Sequence, residues 1–157
     1  MEEQNYELWR NCSLGRLEEV REALQAGADP NFANSYYSSN RTCLMEAARW
    51  GYDGVVALLL SSPGIRVNTK DQFDQTALHM VCRNYDFLHD RSLACLPLLL
   101  ARPDLLLNER NDWGFTPIMS AILGRQTEAV LQMASLPNVC LDMKDNKGRS
   151  LEEIARL

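Results

Sequence analysis

Five stretches of this chain fall into one register. Thr42 to Gly51 (TCLMEAARWG), Thr76 to Tyr85 (TALHMVCRNY), Thr116 to Arg125 (TPIMSAILGR) and Ser150 to Leu157 (SLEEIARL) each open on a hydroxyl residue. A more degenerate copy runs from Tyr6 to Gly15 (YELWRNCSLG), and the copies start 36, 34, 40 and 34 residues apart. A period near that length is the signature of a solenoid, in which each unit buries its apolar face against its neighbours and none is stable alone. The 157 residues hold four units and the start of a fifth. One domain over 1–157 is therefore expected, with units at 1–33, 34–68, 69–108, 109–142 and 143–157.

Within the register, the third position holds Leu8, Leu44, Leu78 and Ile118. The sixth holds Asn11, Ala47, Val81, Ala121 and Ala155, and the seventh Cys12, Ala48, Cys82 and Ile122. Three, six and seven form the buried stripe of a helix, and small residues in two of them let helices approach closely. Thr42, Thr76, Thr116 and Ser150 are N-cap types, whose side-chain oxygen accepts a bond from a first-turn backbone N–H. Pro117 suits the first helical position, and Ser150 with Glu153 makes a capping box. A second apolar stretch follows each first helix, at Leu17 to Leu24, Val55 to Leu60, Cys95 to Leu100 and Ala129 to Ala134, and then breaks into a turn containing Pro or Gly. Asn40, Asp74, Gly114 and Gly148 stand two residues before the cap, where these types predict a left-handed residue in a tight finger turn.

Composition narrows the classes of function. A hydrophobic content of 46% fits a packed chain, and no run of 18 apolar residues is present to span a bilayer. The start, MEEQNYELWR, lacks the basic and apolar regions of a secretory signal, so a cytoplasmic protein, also present in the nucleus, is expected. Five cysteines with no CxxC pair read as reduced thiols, and the sequons at Asn11 and Asn40 as chance matches. A net charge of −5 disfavours binding to a phosphate backbone, so neither nucleic acid nor membrane is an expected partner.

The register resembles the ankyrin repeat over nearly the whole chain. The matching stretches are DQFDQTALH at Asp71 to His79, NDWGFTPI at Asn111 to Ile118, EAARWGYDGVVALLL at Glu46 to Leu60, GADPN at Gly27 to Asn31 and DNKGRSLEEIA at Asp145 to Ala155. The resemblance implies an all-α fold, a solenoid of stacked helix-turn-helix pairs with β-hairpin-like finger loops. It also implies a non-catalytic scaffold that binds a protein or peptide partner in a concave groove. The alternative is a targeting or regulatory domain of a larger enzyme or ubiquitin-ligase-type assembly, since the fifth copy stops at Leu157 without its second helix. A monomer is expected, and Asn68 or Asn108 is implied as a substrate for asparaginyl hydroxylation.

Three departures stand out against this frame. The first finger carries three extra residues in ANSYYSSN, and six more lie between the helices of the third copy, around Asn84 to Ser92. Pro97, near the start of the following helix, should shorten or bend its first turn. Chemistry is sparse. His79 and Cys82 lie three apart on one helix face, where an imidazole and thiolate could pair, but both occupy structural columns of the repeat. His89 sits in the insertion with scattered carboxylates, too few for a metal site. No phosphate loop, GxSxG, HExxH or GxGxxG motif occurs, so no enzyme, cofactor or metal is expected. What packing does not demand is a set of aromatic and Arg residues in the finger and groove columns: Tyr36, Tyr37, Arg41, Arg49, Trp50, Phe73, Arg83, Trp113 and Phe115. Trp, Tyr and Arg dominate binding hot spots, so these are the candidate partner-binding residues.

Overall fold

The two apolar stretches of each unit form antiparallel helix pairs: α1 (Glu2–Ser13) with α2 (Leu17–Gln25), α3 (Cys43–Arg49) with α4 (Asp53–Leu60), α5 (Ala77–Arg83) with α6 (Leu96–Leu100), and α7 (Pro117–Leu123) with α8 (Thr127–Ala134). The last described helix is α9 (Leu151–Ala155). The computed structural model describes residues 1–36, 38–83 and 92–157, so Tyr37 and the insertion at 84–91, with His89, lie outside the described residues. First helices stack in the order α1, α3, α5, α7, α9, and second helices in the order α2, α4, α6. The result is the expected all-α solenoid.

The buried stripe is wider than its three columns. Leu8, Leu44, Leu78 and Ile118 are buried as expected, with Ala47, Val81, Ala121, Cys12, Ala48 and Cys82. Met45, Glu46, His79, Met80, Met119 and Ser120 are buried too. A first helix is covered by a neighbour on each side and by its own second helix, so almost no face is left for water. Ile122 on α7 is only partly buried, and Ala155, on the last described helix of the stack, is exposed. At the other end, α1 begins at Glu2, about one turn before the repeat register would start it. Pro97 has the expected effect: α6 spans five residues and follows a 3-10 turn at Ser92–Cys95, whereas α4 spans eight.

The cap column divides. Thr42 Oγ1 accepts from the Met45 N–H at 3.2 Å, and Ser150 Oγ from the Glu153 N–H at 3.4 Å, while Glu153 Oε2 accepts from the Ser150 N–H at 2.7 Å. Thr76 departs from this pattern, its hydroxyl lying 2.9 Å from His79 Nδ1, and the Thr116 hydroxyl is buried without a hydrogen-bond partner. At both Thr42 and Thr116 the backbone N–H instead meets a methionine sulfur three residues on, at 3.5 Å. The finger turns follow the sequence closely: φ is 62° at Asn40, 56° at Asp74, 78° at Gly114 and 75° at Gly148. At Gly114 an added Cβ would also collide with the Asn146 side chain and with Arg110.

Side chains tie one unit to the next. Asn31 donates through Nδ2 to the Gly64 carbonyl and accepts at Oδ1 from the Arg66 N–H, at 2.9 and 2.7 Å. Asn68 does the same to the Asp104 carbonyl and Leu106 N–H, at 2.7 and 2.9 Å. Asn108 repeats it on the Asn138 carbonyl and Cys140 N–H, at 2.7 and 2.8 Å. Asn68 and Asn108, named above for hydroxylation, therefore each fasten a loop to its successor through both ends of the amide.

His79 makes a comparable tie. The Thr76 N–H, which can only donate, points at Nδ1 at 3.2 Å, so Nδ1 is the acceptor and Nε2 carries the proton. Nε2–H then donates to the Phe115 carbonyl of the next finger at 3.0 Å. Burial lowers the His79 pKa from 6.5 to about 4, opposed by the Phe115 carbonyl. The unfolded chain thus binds more protons than the folded one between those two values, and stability falls as pH drops through that window. The loss on acidification should reach about 3 kcal/mol. Denaturant titrations at pH 7 and pH 4.5 should show a smaller pH-dependent difference for His79→Gln than for the native chain. In parallel, Asn68→Ala should lower the urea midpoint by the equivalent of about 1–2 kcal/mol with little change in slope.

Candidate partner-binding groove

The fingers are built around one polar residue each. Asp71 Oδ1 accepts from the Phe73 and Gln75 N–H groups, both at 2.9 Å. Asn111 Oδ1 accepts from Trp113 and Phe115 at 3.1 and 2.9 Å, and Asp145 Oδ1 from Lys147 and Arg149 at 2.9 Å each. In the first finger Asn34 Oδ1 accepts from the Tyr36 N–H at 3.0 Å. That finger also carries a formal hairpin, β1 (Ala33–Asn34) pairing antiparallel with β2 (Arg41–Thr42). All four core residues are buried. Their role escaped the sequence reading, although an Asp or Asn five residues before the cap at positions 71, 111 and 145 was a visible signal.

Neighbouring fingers are joined through the backbone. The Gln72 N–H donates to the Ser39 carbonyl at 2.9 Å, Asp112 to Phe73 at 3.0 Å and Asn146 to Trp113 at 3.2 Å. A finger cannot tilt without breaking its neighbour's bond. Aromatic side chains follow this backbone ladder. The Phe73 and Trp113 rings stack 5.8 Å apart at 27°, a lateral contact between neighbouring fingers. Arg83 lies over the Trp113 ring at 6.0 Å and Arg149 over Phe115 at 6.0 Å.

The candidate residues therefore separate by environment. Trp113 is 44% exposed and Trp50 40%, while Phe73 and Phe115 are half-buried. Tyr36 is 92% exposed on the lengthened finger, and Tyr37 lies outside the described residues. The Arg49 guanidinium sits 5.0 Å over the Trp50 ring. Arg41 is turned inward: Nη1 is 3.3 Å from Glu46 Oε1 and Nε 3.6 Å from Asp71 Oδ2. Its carbonyl accepts from Trp9 Nε1 at 3.1 Å. Glu46, a buried residue absent from the sequence-based candidates, also accepts from Trp50 Nε1 at 3.2 Å. One carboxylate thus fixes both the guanidinium and the indole, and Arg41 serves the joint between units more than the groove surface.

The imidazole and thiol column shows no nucleophile geometry. Cys82 is fully buried with its thiol donating to Met133 Sδ at 3.4 Å, and burial pushes its pKa up, the reverse of what an attacking thiolate needs. Among the described residues no group of three or more His, Cys, Asp or Glu could hold a metal ion, and no helix is long and apolar enough to cross a membrane.

Helix pairs stacked in one direction, with fingers joined through backbone bonds and a His79–Phe115 tie between units, define a repeat scaffold. Residues 39–72 match the family model for the ankyrin repeat. Over 144 residues the chain is 27% identical to "Probable 26S proteasome regulatory subunit p28" of Saccharomyces cerevisiae, covering 92% of this chain and 60% of that protein. Over 115 residues it is 28% identical to Rabankyrin-5 of Homo sapiens, covering 73% of this chain and 9% of that protein. Over 93 residues it is 37% identical to Alpha-latrotoxin-Lg1a of Latrodectus geometricus, covering 57% of this chain and 6% of that one. The match at residues 39–72 and the stacked helix pairs bear out the ankyrin-repeat resemblance read from the sequence. Ankyrin repeats are in general non-catalytic modules for protein–protein interaction.

The carboxylate shared by Arg41 and Trp50 gives a direct test of how the groove is held. Glu46→Ala should destabilise the chain by about 2 kcal/mol, because it removes one of the two carboxylates facing the largely buried Arg41 guanidinium together with the acceptor of the Trp50 indole N–H. Glu46→Gln, which keeps an acceptor for the indole N–H, should cost less, and urea denaturation of both variants measures the difference.

Proposed function

We propose that this chain binds a protein or peptide partner along the surface formed by its finger tips and the exposed ends of its first helices. Trp50 and Trp113 are the anchors. One observation carries the reading: both indoles are about two-fifths exposed although their surroundings are fixed, Trp50 by its bond to Glu46 and Trp113 by backbone bonds to Asn111 and Asn146. Rings held in place before binding lose little conformational freedom on association, so their burial is returned as affinity. Arg49 and Arg83, each stacked on one of these indoles, put positive charge beside both anchors, which favours a partner carrying acidic groups.

Phe73 and Phe115 support this surface more than they contact the partner, since the first is committed to Trp113 and the second lies under Arg149. Tyr36 extends the accessible area at one end. A second reading, a regulatory or targeting unit within a larger assembly, is favoured by the likeness to the probable proteasome regulatory subunit of yeast and by the small share of Rabankyrin-5 that this chain covers. The two readings use the same surface and differ in what is attached to it.

Affinity capture on the native chain and on a Trp50→Ala/Trp113→Ala double variant tests the groove. Each indole should contribute a roughly 30-fold loss of affinity for the captured partner, with far-UV circular dichroism unchanged. Unaltered capture by the double variant would remove this face from the interface.

A further inference from the structure

At the first end of the stack, a cleft of about 520 Å³ separates the start of α1 from the first finger. Its lining includes Glu2, Glu3 and Tyr6 on the helix and Phe32, Ala33 and Tyr36 on the finger. Among the described residues that line it there is no Lys or Arg. We propose that this cleft is a second, separate binding site, and that it takes a Lys or Arg side chain from a basic peptide segment.

The cleft is built rather than incidental. Its floor is held because the Phe32 carbonyl accepts from the Cys43 N–H at 3.3 Å, and Phe32 itself packs on the core. One wall is fixed by stacking of Tyr6 on Trp9, with centroids 6.3 Å apart at 25°. Trp9 is in turn secured by its Nε1 bond to the Arg41 carbonyl at 3.1 Å. The other wall starts at Tyr36, whose N–H is bound by Asn34 Oδ1 at 3.0 Å. Tyr36 is 92% exposed, so nothing within the described chain covers its ring. Tyr36, on the lengthened first finger, therefore presents an aromatic wall to the cleft.

Charge and shape select the ligand. A Lys or Arg side chain has an apolar stem suited to Phe32 and Ala33, and a cationic head attracted both by aromatic faces and by carboxylates. The two carboxylates of Glu2 and Glu3 outnumber the one positive charge of the adjacent Met1 amino group and still exceed it when the partial charge at the N-terminus of α1 is added. An acidic or purely apolar segment would meet unpaired carboxylates instead. This is the opposite preference to that of the tryptophan and arginine surface, so the site stands independently of the groove reading.

Fluorescence anisotropy with two labelled peptides, Gly-Ala-Lys-Ala-Gly and Gly-Ala-Arg-Ala-Gly, tests the assignment, with norleucine in the central position as the uncharged control. At least one cationic peptide should bind and the norleucine peptide should bind at least about five-fold more weakly. Tyr36→Ala and the pair Glu2→Gln/Glu3→Gln should each weaken binding by about five-fold. The pair Glu18→Gln/Glu19→Gln, on the exposed side of α2, and the double variant Trp50→Ala/Trp113→Ala should leave it unchanged. Binding by neither cationic peptide, equal binding by the cleft variants, or an equal loss in the α2 pair would overturn the proposal, the last by showing only general attraction to an acidic chain. Because Glu2, Glu3, Tyr36, Glu18 and Glu19 are exposed, unchanged thermal midpoints should accompany the variants at these positions and separate a lost site from a lost fold.

Discussion

The helices of this chain are too short to stand alone. Past α1 none of the described helices exceeds nine residues, and isolated helices of that length are marginal in water. Each must be held by its neighbours, and apolar burial by itself would let short helices slide. Direction comes from hydrogen bonds that pass between units at fixed positions. Asn31, Asn68 and Asn108 fasten the loops, His79 fastens a helix to the next finger, and backbone bonds fasten finger to finger. Every other feature is positioned by these ties.

The groove is a consequence of the same ties. Trp113 is exposed yet oriented because its N–H is bound by Asn111 and its carbonyl by Asn146 of the following finger. Trp50 is exposed yet oriented because a buried carboxylate holds its indole N–H. The scaffold thus keeps aromatic surface in water without letting it collapse, which is what a binding face requires. Only the side chains that the ties do not use remain to set specificity. That is how one architecture serves unrelated partners.

Much of this was legible in the sequence because the repeat supplies several independent readings of each column. The left-handed turns at Asn40, Asp74, Gly114 and Gly148 could be read from residue type, since few residues tolerate that backbone. The helix pairs and the shortening at Pro97 could be read from periodicity and proline geometry. Contacts between columns were not legible. The Thr76–His79 contact is the exception, implied by the resemblance because only the third unit has His at the fourth position, whereas the reach of its Nε2 to the Phe115 carbonyl of the next finger was not. Arg41 looked like a groove residue and is drawn inward by Glu46 and Asp71, two acids 25 positions apart that only stacking brings together. Phe73 and Trp113 were likewise visible as aromatic finger residues, but their mutual stacking depends on the spacing between fingers.

Native-state hydrogen exchange would test the central claim most directly, because it reads the ties one amide at a time. The account predicts that the amides of Gln72, Asp112 and Asn146, all in short turns, exchange within about tenfold of the core-helix amides of Met80 and Ser120, opening only when the stack opens. Exchange of those three amides at the rate of free loops, with the helices still protected, would contradict it: the fingers would then move independently, and the groove would not be preformed.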